Sequence, residues 1–137
     1  MNDKITFNLK TVIDINAGIA QMGDEDTFYS MMEGFDDMSL IKNISNLKEF
    51  YEANDCKLFR GEAHTLKGAS GYLAAGRLYN ITAQMCSAYE NKNYELVFSY
   101  YPSLIEESII LRKEIKKVLS KRNSILSNRC PIYRILI

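Results

Sequence analysis

The stretch CKLFRGEAHTLKGASGYL, residues 56–73, decides how this chain folds. Asn54 and Asp55 stop whatever precedes it and offer a new N-cap, so the spacing predicts a helix from Cys56 to Leu73. At ~3.6 residues per turn, Phe59, Ala63, Leu66, Ser70 and Leu73 fall within a stripe roughly 80° wide, which is the buried face. His64, the only histidine of 137 residues, points about 140° from the centre of that stripe, towards solvent.

The helical neighbours of His64 are Arg60, Gly61, Lys67, Gly68 and, one turn further, Gly71. Each glycine inside a helix costs roughly 0.8–1 kcal/mol relative to alanine, a large toll on a small domain. None of the three lies on the predicted core stripe, so close helix packing does not account for them. Their effect is to strip side chains from around an exposed imidazole and leave it open to a bulky partner. The long groups that remain nearby, Lys67 and Arg60, are cationic. A neutral imidazole is a nucleophile, and an ammonium one turn away offsets the charge of a phosphoryl group. No second histidine and no acid is spaced to serve as its base, so whatever activates the phosphate comes from a partner.

Working outward, the pattern predicts a short helix over Val12–Met22, closed by Gly23. Asp24 caps a long segment with Phe28, Met31, Met32 and Phe35 on one stripe. Leu40, Ile44, Leu47 and Tyr51 continue it on a rotated face, after a bend between Gly34 and Ser39. Methionines in this segment are read as core fillers. Leu78, Ile81, Met85 and Ala88 mark the next helix. After the polar turn Glu90–Asn93, a final stripe runs through Val97, Tyr101, Leu104, Ser108, Leu111, Ile115 and Val118, with Pro102 either kinking the helix or marking its true start. The fold class is all-α, an antiparallel four-helix bundle preceded by a short N-terminal helix, over residues 1–120. Residues 121–137 read as a C-terminal tail without assigned structure.

Composition agrees. A chain of 137 residues with 47% hydrophobic content supports one core, and two prolines with seven glycines favour helices. No apolar run approaches the ~20 residues of a membrane span. Three cysteines without CxxC spacing read as free thiols of a reducing compartment, cytoplasmic or nuclear. Net charge is zero, yet residues 24–55 hold nine acids and two bases, while residues 112–134 hold eight bases and one acid. The basic run lacks interleaved aromatics and a binding motif, so nucleic acid is not an expected partner. The acidic segment 24–37, with Phe28, Met31 and Met32, is a candidate for part of a docking face.

AHTLKG resembles the His-x-Leu-Lys-Gly signature of histidine phosphotransfer (HPt) domains, and flanking segments are similar from about residue 7 to 120. The resemblance implies that His64 takes a phosphoryl group from the aspartate of a response-regulator receiver domain and passes it to another. It makes Lys67 the residue that steadies the phosphate and Gly68 the opening for the receiver, with Gly61, Gly71 and Arg60 as further partner-binding positions. The chain is then a carrier and not an enzyme, with no metal or cofactor of its own. Mg²⁺ and the catalytic acids belong to the receiver, and a hybrid histidine kinase is a second candidate partner. A free-standing monomer is expected from Met1, the lack of a linker and the need for an open face. The family usually places glycine ten residues after its histidine, where this chain has Ala74, with Gly76 two further on. The alternative reading is a helical adaptor that docks a receiver or other partner without carrying phosphate. A hydrolase built on His64 is disfavoured, because no Ser or Cys is spaced to pair with the imidazole and Cys56 lies about two turns away.

Overall fold

Helix punctuation sets the order of the elements. The computed structural model describes residues 7–129. Helix α1, Ile15–Met22, starts where Asp14 accepts the Ala17 N–H and ends at Gly23, whose φ of 77° is the left-handed closing conformation. Asp24 then accepts the Thr27 N–H and opens α2, Glu25–Gly34. A π-helical turn, Phe35–Leu40, joins α2 without a break to α3, Ile41–Glu52. Asp55 accepts the Leu58 N–H at the head of α4, Cys56–Leu73. Then follow α5, Gly76–Glu90, the short α6, Tyr94–Ser99, and α7, Tyr101–Arg129. Pro102 is the second residue of α7, so it marks a true start and not a kink.

The π turn explains the rotated face between Phe35 and Leu40. In plain α winding, Leu40, Asn43 and Leu47 would sit about 100°, one residue's worth, off the stripe of Phe28, Met32 and Phe35. The wider turn absorbs one residue. All six side chains therefore face inward, none more than 8% exposed.

The continuous α2–π–α3 element packs on α4 and α7, α4 packs on α5, and α5 packs on α7, which closes a four-helix bundle with α1 laid against α2 and α4. Its core is Phe28, Met32, Leu40, Leu47, Phe59, Leu66, Leu73, Leu78, Met85, Leu104, Leu111 and Ile115, each at most 2% exposed. Burial of this apolar surface is the main force holding the helices together. Ser70, Thr82 and Ser108 lie among them and satisfy their hydroxyls on their own helices, donating to the carbonyls of Lys67, Leu78 and Leu104.

The two oppositely charged blocks face each other across the bundle. Arg122 of α7 forms ion pairs with Glu25 and Asp26 and lays its guanidinium 4.2 Å from the Tyr29 ring centroid. Lys116 reaches Asp36 at 3.2 Å and Arg112 approaches it at 4.0 Å. Two sequence expectations are refined as a result. Within the acidic segment, Phe28 and Met32 are fully buried in the core and Glu25, Asp26 and Asp36 pair with α7, while Glu25 and Asp26 stay largely open to solvent. The bundle also does not end at residue 120: α7 continues helically through Arg129, because Arg122 finds partners on α2. The remaining tail residues, 130–137, lie outside the described residues.

Candidate functional site

The predicted helix and the observed α4 coincide, and so does its buried face of Phe59, Ala63, Leu66, Ser70 and Leu73. That packing fixes the rotation of α4 and presents His64 to solvent. Glu62, on one flank, accepts hydrogen bonds from Asn43 and Asn46 of α3. The opposite flank faces α5, and the imidazole sits on that side in an open hollow of about 340 Å³. The hollow is lined by Gln21, His64, Lys67, Gly68, Gly71, Tyr72 and Tyr79.

Four of the predicted residues, His64, Lys67, Gly68 and Gly71, therefore meet in one place. A Cβ added at Gly61 or Gly68 would meet nothing within 4 Å, so no packing demand explains either glycine. Gly71 differs: a Cβ there would lie 3.4 Å from the ring of Tyr79, so this glycine does border a neighbouring helix. Arg60 is not brought into the hollow; its guanidinium lies 5.2 Å from the Tyr89 ring centroid, against α5. The Lys67 ammonium lies 5.8 Å from the Tyr79 ring centroid, within cation–π range.

Three lining residues escaped the sequence reading. Gln21 arrives from α1 and donates to the Gly71 carbonyl at 3.3 Å, Tyr79 arrives from α5, and Tyr72 stands 60% exposed two turns beyond His64. Only Tyr72 had a local signal, as a large apolar side chain on the solvent face of α4; Gln21 and Tyr79 are placed by tertiary packing.

The hollow's lining contains no carboxylate, so a hard cation such as Mg²⁺ has no ligand set there. Among the described residues no group of three or more His, Cys, Asp or Glu is arranged to hold a metal ion. Neither thiol among the described residues lines the hollow. Burial pushes the Cys86 thiol up, against a smaller downward pull from Arg60 and Lys67. Burial and the neighbouring Asp55 push Cys56 up as well. Both shifts work against the reactive thiolate form.

The turn after α4 explains the missing family glycine. Ala74 itself adopts the left-handed conformation, φ 57°, and its N–H closes the helix on the Ser70 and Gly71 carbonyls. An L-residue there costs about 1–2 kcal/mol. Its fully buried side chain offsets part of that cost.

The closed bundle thus offers one open histidine beside a lysine on α4. The chain belongs to the Hpt domain family, which matches it over residues 38–119. Hpt domains are phosphocarrier modules of two-component signalling and interact with receiver domains and hybrid kinases. The fold is similar to that of the HPt domain of a sensor hybrid histidine kinase from Shewanella, with a TM-score of 0.73 and 20% identity. That similarity covers 80% of this chain and 95% of the Shewanella domain. No curated protein sequence matches the chain. Among the described residues, no helix is long and apolar enough to cross a membrane.

Proposed function

We propose that the protein relays a phosphoryl group between receiver-domain aspartates by carrying it on His64. The observation that carries this reading is the open hollow in which the chain's sole histidine stands beside Lys67 and Gly68. A neutral ring nitrogen attacks the phosphorus of the receiver's acyl phosphate. The N–P bond forms as the P–O bond to aspartate breaks, and the carboxylate leaves with the electron pair. The other ring nitrogen keeps its proton. Passing the group to a second receiver reverses the step. The Lys67 ammonium offsets phosphoryl charge, and bare Gly68 gives the receiver room to approach. Mg²⁺, in this reading, comes with the receiver. In this reading the protein works as a monomer in a reducing compartment, the cytoplasm or nucleus.

The test mixes the protein with an aspartate-phosphorylated receiver and Mg²⁺ and follows label onto the chain, with His64→Gln alongside. Acid-labile, alkali-stable label on the wild type and none on the variant is the expected result. A wild type that binds receivers yet takes no label from several donors overturns the proposal and leaves an adaptor.

A further inference from the structure

We propose that the segment preceding α1 belongs to the phosphate-handling apparatus, with Phe7 setting the ring of Tyr79 and Tyr79 setting the ammonium of Lys67. This rests on the reading of His64 as phosphoryl carrier. Phe7 meets Tyr79 edge to face, ring centroids 5.0 Å apart and planes at 69°. The same Tyr79 ring lies 5.8 Å from the Lys67 ammonium and lines the hollow that holds His64.

Several features converge on this contact. Gly71 offers the Tyr79 ring no side chain, and Phe7 packs against that ring edge to face. The seat of Phe7 is itself prepared: a Cβ on Gly76 would come within 2.5 Å of the Phe7 Cβ, so only glycine lets the segment lie across the start of α5. The Asp14 N–H donates to the Ala74 carbonyl at 3.0 Å and ties the same segment to the α4–α5 turn. Ala74 and Gly76, the departure from the family pattern at this turn, thus both touch the segment that supports Tyr79.

Lys67 needs such a device. A lysine side chain has four rotatable carbons and loses much rotamer freedom when it meets a phosphate. Among the described residues it has no ion-pair partner to hold it. A ring face that attracts the ammonium holds it in place before the phosphoryl group arrives, which is how positioned charge helps transfer. Phe7 and Tyr79 touch no phosphate; they are positioning residues.

The experiment uses the full chain and two readouts. In lysine-labelled protein, the ε-methylene resonances of Lys67 are expected upfield from the Tyr79 ring current, moving to ordinary lysine positions in Tyr79→Leu and Phe7→Ala. Phe7→Tyr is expected to restore them. In label transfer from a phosphorylated receiver with Mg²⁺, Phe7→Ala is expected to lower the rate at saturating receiver about two- to fivefold, with the half-saturating concentration unchanged. In a Lys67→Met background the same substitution should have no further effect. Gly76→Ala, which displaces Phe7 without touching the hollow, should reproduce Phe7→Ala. If Phe7→Ala leaves the Lys67 resonances in place, or slows transfer equally with and without Lys67, the proposal is overturned. A wild type that takes no label overturns the carrier reading, and this role with it.

Discussion

Replacing Gly61 and Gly68 by alanine should make the protein more stable and a poorer carrier at once. Neither glycine has a positive φ, and an added Cβ meets nothing within 4 Å at either position. Each substitution therefore gains the full helix-interior difference of about 0.8–1 kcal/mol, with no clash to subtract. The sites are two turns apart and share no partner, so the gains add, giving about 1.6–2 kcal/mol for the double variant. For a domain of this size that corresponds to a midpoint rise of roughly 5–10 °C. Gly71→Ala is the internal contrast. Its methyl would press on the Tyr79 ring at 3.4 Å, so the gain there should be smaller. Thermal and urea unfolding followed by far-UV circular dichroism measures the stability arm. Label transfer from a phosphorylated receiver measures the other, where methyls one turn either side of the imidazole should slow the reaction. A double variant no more stable than wild type would show that these glycines impose no toll on α4. One that is stabilised yet transfers at the wild-type rate would refute the claim that they are there for access.

Three further outcomes can be checked by equilibrium unfolding. Leu66 is fully buried on α4, so Leu66→Ala should lose about 3–5 kcal/mol, and a loss under 1 kcal/mol would contradict the packing described. Asp55→Ala removes the acceptor for the Leu58 N–H and should cost about 1 kcal/mol, whereas Asp55→Asn, which can still cap, should cost much less. Burial raises the Cys86 thiol above its ordinary 9.0, so the folded state holds that proton more tightly than the unfolded chain. The associated stability is complete below pH 9.0 and is lost as pH rises from there through the folded value; Cys86→Ala should show a shallower alkaline decline, and an unchanged slope would disprove the assignment.

Local physics made α4 readable. A capping aspartate at 55 and a clean helical period name both its ends and all five residues of its inward face. The histidine, lysine and glycine of the hollow followed, because their neighbours along one helix are fixed by winding alone. What sequence missed depends on other helices. Helix α1 starts at Ile15 and not Val12 because the Asp14 carboxylate caps it, while the chain just before it is tied to Ala74. The outward extension of α7 depends on Arg122 meeting Glu25 and Tyr29, some ninety residues earlier in the chain. Tyr79 and Gln21 enter the hollow from two further helices, and no spacing rule links them to His64.

The π turn has a consequence for how this chain can change length. Deleting any one residue between Phe35 and Leu40 would restore plain α winding and still keep Phe28 and Leu47 facing inward. The same deletion a turn earlier or later would carry a core side chain out to water. A one-residue change of length is then best tolerated inside this helix, and not only in the loops between helices.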